Sequence, residues 1–233
     1  MFRKIQSLFI HFAGWSVFLV LGSIALLFSF IIPNSVFFFA RPISWIFLTV
    51  MGVRLNVKGE FPKDGTFIIM YNHESFIDPF LLPIFSKGKF TGIIAKENLD
   101  VFLFGTLLKR FNVVPIDRKN SKSAIEAVNS VVNVINEGYH IVILPEGTRT
   151  LDGKMKSFKK GGFHLAINSQ TPILPVGIQG AYDFKPKNRK LYQPGKVVMN
   201  IGKPILPEEY VGLGLDGLTE KTRIEIQQLI DEK

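Results

Sequence analysis

The chain contains no cysteine, which excludes disulfides, thiolate metal sites and a cysteine nucleophile while leaving the compartment open. Histidine is scarce, at four in 233 residues. Each one matters, because imidazole, with an unperturbed pKa of about 6.5, is the side chain that takes and returns a proton near neutral pH. Charge is missing from one long stretch: from Ile5 to Ala40 there is no Asp, Glu, Lys or Arg. The chain also has no internal repeat and no low-complexity segment.

Inside the uncharged stretch, the run from Phe18 to Ile32 is almost wholly apolar, and about 20 apolar residues suffice for a helix to cross a bilayer. Pro33-Asn34-Ser35 interrupts it, and a second apolar stretch, Val36 to Val53, follows with Arg41 as its one charge. Arg3 and Lys4 precede the first stretch, and Arg54 and Lys58 follow the second. Positive charge favours the cytoplasmic side, so both flanks belong on one side and a helical hairpin is expected, either spanning the bilayer or lying in one leaflet. A cleavable signal peptide fits less well, since the apolar part is too long and no small-residue cleavage site precedes the second stretch. A buried hairpin in a soluble protein is the other alternative.

Apolar residues make up 47% of the chain, with Phe alone contributing 22, and the net charge is +9. A basic chain can address nucleic acid or an anionic membrane face. Beside an apolar hairpin the membrane is favoured, and no nucleic-acid partner is expected. The length accommodates one sizeable domain with an N-terminal attachment. The expected division is a membrane-associated helical hairpin over 1–52 and an α/β domain over 53–233.

After Lys58-Gly59 short β-rich runs alternate with helical ones, as in an α/β domain. Strands are expected at Val53–Val57, Thr66–Tyr71, Phe90–Ala95, Asn112–Ile116, His140–Leu144, Ile173–Gln179 and Val197–Ile201. Ser123 and Glu126 form a capping box ahead of Ile125, Val128, Val132 and Ile135 at helical spacing, and Gly138 ends that run. Asp78-Pro79 reads as an N-cap followed by Pro at the first helical position. Lys96 to Arg110 is apolar on most faces, which predicts a helix that is either buried or in contact with lipid. Leu218 to Lys233 reads as a charged amphipathic helix.

Four segments carry the chemistry. In Asn72-His73-Glu74-Ser75-Phe76-Ile77-Asp78, a strand-to-helix turn can fold the Asp78 carboxylate back onto the His73 imidazole. The carboxylate then fixes the tautomer and stabilises the imidazolium formed when the other ring nitrogen accepts a proton. The alternative is that Asp78 is only an N-cap and His73 a loop residue. Ser75 could act as a nucleophile, but it lacks the G-x-S-x-G elbow. A metal at His73, Glu74 and Asp78 lacks a second histidine cluster to complete it, and no metal is expected.

The second segment, Pro145-Glu146-Gly147-Thr148-Arg149, follows an apolar strand and leads to Lys154, Lys156, Lys159 and Lys160. Gly147 allows close approach of backbone N–H groups, Thr148 adds a hydroxyl and Arg149 offers a planar fork of donors, which together suit a phosphate. A surface turn with a Glu146–Arg149 ion pair would read the same way. The third segment, Val113-Val114-Pro115-Ile116-Asp117-Arg118, ends in a second guanidinium. The fourth, Thr171-Pro172-Ile173-Leu174-Pro175-Val176, is an apolar strand whose default role is structural.

The order and spacing of these four segments resemble the glycerolphosphate acyltransferase superfamily, specifically the 1-acyl-sn-glycerol-3-phosphate acyltransferases, from about Val53 to Gly202. His73 and Asp78 match the family's HX4D motif, Pro115–Arg118 its second block, Pro145–Arg149 its third and Ile173–Val176 its fourth. Asn112 and Pro115 stand where the family often carries Gly and an aromatic. The resemblance implies an α/β fold with a mixed central sheet flanked by helices and anchored by the hairpin. It also implies phospholipid biosynthesis by acyl transfer from acyl-ACP or acyl-CoA to the 2-hydroxyl of lysophosphatidate, giving phosphatidic acid. His73 would be the base and Asp78 its partner, with Arg118, Glu146, Gly147, Thr148 and Arg149 on the acceptor. No cofactor beyond the thioester co-substrate is implied, and the expected location is a membrane, at the cytoplasmic face of a bacterial inner membrane. The alternatives are a different lysophospholipid or lyso-aminolipid acceptor, a serine-type lipid hydrolase using Ser75, and a non-catalytic module binding anionic lipid.

Overall fold

The protein is described from a computed structural model covering residues 2–116, 130–210 and 212–232. The uncharged N-terminal stretch forms the expected hairpin. Helix α1 (Phe2–Ile31) turns at residues 32–34 and returns as α2 (Ser35–Val50), with Asn34 left-handed at φ 69°. The buried residues of α1 are Ser7, Ile10, Gly14, Phe18, Gly22, Ala25 and Ser29. They recur every three or four positions, so they form one stripe. The stripe is rich in small residues because neighbours press on it closely. A Cβ on Gly14 would lie 2.1 Å from Sδ of Met51.

The opposite face of α1 exposes Phe9, Phe12 and Leu27. By length and composition α1 could cross a bilayer, whereas α2 is shorter. Contacts with the rest of the chain run almost the whole length of α1. Ser7 Oγ accepts the N–H of Tyr192 at 2.9 Å, His11 Nδ1 lies 3.0 Å from the Tyr192 hydroxyl, and Phe18 packs on Phe80 and Phe104. At the far end the Arg110 guanidinium stacks over the Phe30 ring at 4.1 Å.

Among the described residues seven strands follow: β1 (Val53–Lys58), β2 (Ile68–Tyr71), β3 (Phe90–Ala95), β4 (Val114–Ile116), β5 (His140–Ile143), β6 (Ile173–Gln179) and β7 (Gly195–Ile201). All seven sequence-predicted strands are present, with ends shifted by at most two residues. They form one sheet in the order β1-β7-β6-β2-β5-β3-β4. Every pairing is parallel except β6 with β7, so β1 and β7 run against the other five and the sheet is mixed. The middle strands β2 and β5 are buried at every position, as continuous apolar runs with helices on both faces require.

Helix α3 (Asp78–Phe85) packs against α2, and its buried residues Phe80, Leu81 and Phe85 share one apolar cluster with hairpin and sheet residues. Phe47 of α2 and Phe80 of α3 pack with ring centroids 4.3 Å apart, and Phe47 is fully buried. Burying such a ring contributes about 1.5–3 kcal/mol, so hairpin and sheet share one apolar core. On the other face lie α5 (residues 130–136), α6 (Gly161–Ser169) and α8 (Gly214–Asp231), with the one-turn α7 (Ala181–Phe184) after β6. The helix expected after Ser123 and Glu126 has its start outside the described residues. Its end conforms, with Ile135 buried and Gly138 at φ 82° accepting no further turn. The C-terminal helix begins at Gly214, four residues before the expected Leu218.

The segment Lys96–Arg110 is not one helix. A 3-10 turn (Lys96–Asp100) is separated from α4 (Phe104–Arg110) by Leu103 at φ 58°, where Phe104 N–H bonds to the Phe102 carbonyl at 2.6 Å. Apolar residues all round the segment gave its pattern no phase, so the break left no trace in the sequence. Gly105 explains part of it, since a Cβ there would lie 2.1 Å from the Leu99 carbonyl oxygen.

Candidate active site

Three adjacent parallel strands, β6, β2 and β5, end side by side, and the residues just past their carboxyl ends form the site. This is where open α/β sheets place ligands. His73 follows β2, Glu146 follows β5 and Gly180 follows β6.

His73 Nδ1 lies 2.7 Å from Oδ2 of Asp78. The same oxygen accepts the backbone N–H groups of Glu74 at 2.9 Å and Ser75 at 3.0 Å. Asp78 is fully buried while the His73 side chain keeps 17% of its surface exposed, so the pair is anchored from below and open from above. With Nδ1 committed to the carboxylate, Nε2 is the nitrogen left for proton transfer. Asp78 is not the N-cap of α3. It is the first residue of that helix, the N–H groups of Phe80 and Leu81 go to the Ile77 carbonyl, and the Asp78 carboxylate turns back onto residues 73–75.

The peptide of His73 is gripped on both sides by the loop after β5. Its N–H donates to Glu146 Oε1 at 2.7 Å, and its carbonyl accepts the N–H of Thr150 at 2.9 Å. Glu146 Oε2 accepts the N–H of Lys156 at 2.8 Å. Both oxygens of Glu146 are therefore occupied by backbone donors. Burial raises the Glu146 pKa above the usual carboxylate range, although the His73 and Lys156 N–H groups pull the other way. The Glu146–Arg149 ion pair of the alternative, surface-turn reading is absent among the described residues. The carboxylate faces inward to hold the histidine loop.

Gly147, at φ 71°, makes the turn that the sequence required, and a Cβ there would lie 2.9 Å from Cε of Lys159. Thr148 is exposed and Arg149 half-buried. The Lys156 ammonium donates to Thr148 Oγ1 and to the Arg149 carbonyl, at 3.2 and 2.8 Å. Arg118 lies outside the described residues. Ser75 is fully buried and its hydroxyl donates to the Lys185 carbonyl at 2.8 Å, which is no posture for a nucleophile.

Two residues of the first segment had no assigned role. The amide of Asn72 pairs with both backbone groups of Ile178 on β6, at 2.8 Å each, tying the ends of β2 and β6 together. Glu74 is buried and accepts from Asn72 Nδ2 at 3.1 Å and from Tyr182 N–H, near the start of α7, at 2.8 Å. Burial, with the nearby carboxylates of Asp78, Asp183 and Glu146 adding to it, raises the Glu74 pKa to about 8. Their position inside the histidine motif was the one available signal.

An apolar cavity of about 160 Å³ lies between the hairpin, α3, α4 and the sheet, lined by residues including Phe18, Gly22, Val36, Tyr71, Pro79 and Phe80. Pro79, the residue after Asp78, is part of its lining.

Residues 53–179 match the family described as acyltransferase. Among curated relatives, 1-acyl-sn-glycerol-3-phosphate acyltransferase alpha of Homo sapiens is 28% identical over 175 residues, which are 74% of this chain and 62% of that protein. The 1-acyl-sn-glycerol-3-phosphate acyltransferase of Cocos nucifera is 31% identical over 172 residues, 73% of this chain and 54% of that protein. The chain thus spans less than two thirds of the length of these relatives. The crystal structure of the 1-acyl-sn-glycerophosphate (LPA) acyltransferase PlsC from Thermotoga maritima is similar at a TM-score of 0.86 and 25% identity, covering 98% of this chain and 96% of that one.

Proposed function

The chain belongs to the acyltransferase family, and from that premise we propose that it moves a fatty acyl group from a thioester to the 2-hydroxyl of a 1-acyl-glycerol-3-phosphate, giving phosphatidate. The observation that carries this is the 2.7 Å contact of His73 with a buried Asp78, the residue before Pro79 in the lining of an apolar cavity.

His73 Nε2 takes the proton of the acceptor hydroxyl as its oxygen attacks the thioester carbonyl. Asp78 steadies the imidazolium. The tetrahedral intermediate collapses with loss of the thiol, which receives that proton from His73. An ester forms, a thioester breaks, and no acyl-enzyme is needed, in keeping with the committed hydroxyl of Ser75. The apolar cavity takes an acyl chain. Arg149 and the Gly147 turn hold the acceptor phosphate, together with Arg118, while Glu146 acts by fixing the His73 backbone.

Residues 1–52 serve as the membrane anchor. Contacts with the rest of the chain run from Ser7 to Phe30, so a vertical, spanning α1 would draw the polar domain packed along it across the bilayer, from Tyr192 at one end to Arg110 at the other. The hairpin therefore lies along one leaflet, with its exposed face in lipid and the basic domain toward the cytoplasm.

The test is thiol release from palmitoyl-coenzyme A and from palmitoyl-acyl carrier protein, with and without lysophosphatidate, by wild type and His73→Ala in detergent. Release that requires the acceptor and falls by at least about 100-fold in the folded mutant is expected, and the productive thioester names the donor. Substantial activity in folded His73→Ala would remove the proposed base. Release without acceptor would replace the transferase by a hydrolase.

A further inference from the structure

The segment between α7 and β7, Lys185-Pro186-Lys187-Asn188-Arg189-Lys190, belongs to none of the four motifs, yet the fold fastens it beside them. The Ser75 hydroxyl holds the Lys185 carbonyl at 2.8 Å, which fixes this residue next to the histidine motif. The Tyr182 hydroxyl and the Asn188 side-chain amide both donate to the Leu151 carbonyl, at 2.9 and 3.1 Å, which clamps the segment to the loop carrying Arg149. Arg189 is oriented in turn by the carbonyls of Leu191, at 3.1 Å, and Asp183.

The result brings three cationic residues from two loops near enough for Arg149 and Arg189 to act on Lys185, whose ammonium donates to the Pro186 carbonyl at 3.3 Å and lies 5.9 Å from the centre of the Tyr192 ring. Among the described residues, Arg149, Lys185 and Arg189 make no ion pair with a carboxylate. Partial burial and the positive charges of Arg149 and Arg189 together push the Lys185 ammonium pKa down. Like charges gathered without a counter-ion raise each other's free energy, and an anion with several oxygens relieves it.

Resting on the acyl-transfer reading above, we propose that Lys185, with Arg189 behind it, completes with Arg149 a binding site for a phosphate monoester beside His73. Two substrates of that reaction carry such a group: the lysophosphatidate acceptor, and a coenzyme A donor through its 3′-phosphate. The nearness of Lys185 to the histidine motif favours the acceptor. Lys185 is then a residue that distinguishes phosphorylated acceptors from neutral ones.

The test begins with equilibrium binding of radiolabelled oleoyl-lysophosphatidate to the full chain in detergent, without thioester. Because this readout needs no turnover, it stands or fails separately from the reaction assigned above. Lys185→Gln should weaken binding about tenfold or more, as expected for a lost charge-assisted hydrogen bond. Arg189→Gln should weaken it less, Lys185→Arg should restore most of it, and Lys63→Ala, before the opposite end of β2, should leave it as in wild type. Monoacylglycerol, which has no phosphate, should bind wild type and Lys185→Gln alike.

The second arm compares KM for palmitoyl-coenzyme A and palmitoyl-pantetheine. A Lys185→Gln defect confined to the coenzyme A thioester, with lysophosphatidate binding intact, keeps the anion site but moves it to the donor and overturns the acceptor assignment. Unchanged affinity for both phosphorylated substrates, in a variant with wild-type circular dichroism, would overturn the site altogether.

Discussion

Glu146 Oε1 accepts the backbone N–H of His73 at 2.7 Å, so the third motif holds the first by its main chain. Each hydrogen bond to a charged group is worth about 1.5–3 kcal/mol. Glu146→Gln keeps the volume but offers one acceptor oxygen where two N–H groups need one each. We expect kcat to fall at least about tenfold, with KM for the thioester within threefold and the melting temperature lowered. An unperturbed kcat would show that the grip on His73 is dispensable.

Asp78 collects three N–H groups on one oxygen, so it sets both the shape of the loop and the state of the imidazole. Asp78→Asn should preserve the fold while lowering kcat about 100-fold or more, because a neutral amide does not stabilise the imidazolium. Circular dichroism together with thiol-release kinetics measures both.

The Glu74 pKa of about 8 in the folded protein compares with an ordinary carboxylate value in the unfolded chain. Its folded value is raised, so the stabilising contribution of the protonated form is complete below the unfolded pKa and is lost as pH rises toward 8. Stability should therefore decline between about pH 5 and pH 8, at a slope of up to about 1.4 kcal/mol per pH unit from this one group. Glu74→Gln should flatten that slope. Urea denaturation in detergent at several pH values gives the comparison, and equal slopes would refute the assignment.

Much of the candidate site was legible because the motifs of His73 and Glu146 each follow a strand. His73 after β2 and Glu146 after β5 meet because parallel neighbours end at the same edge, and apolar runs bounded by turns mark such strands well. What local pattern does not encode is the partner. The Asn72–Ile178 pairing spans 106 positions, the Glu74–Tyr182 contact 108 and the Ser75–Lys185 contact 110. Each depends on β6 lying beside β2, which no spacing within the first motif reveals. The sequence likewise offered Glu146 as a partner for Arg149 three residues on, whereas tertiary structure supplied two backbone donors.

The anchor role and the packing role of the hairpin separate by mutation. Phe80→Ala, beneath Phe47, should destabilise the fold by about 3–5 kcal/mol. Replacing the exposed Phe9, Phe12 and Leu27 by Ser should leave the melting temperature within a few degrees while lowering sedimentation with anionic vesicles at least about tenfold. Equal sedimentation of the triple mutant and wild type would remove the lipid role from that face.

Tyr192 touches the hairpin through Ser7 and His11, and it packs edge-on against Phe76 within the histidine motif, at 5.8 Å between ring centroids. Trp15 of α1 stacks on the same Phe76 at 6.0 Å. The depth and tilt of α1 are thus transmitted to the residue three positions from His73 through rings in direct contact. With the hairpin as the proposed anchor, the lipid surface is a mechanical component of catalysis, and turnover should vary with bilayer thickness and packing even when both substrates are presented at saturating concentration.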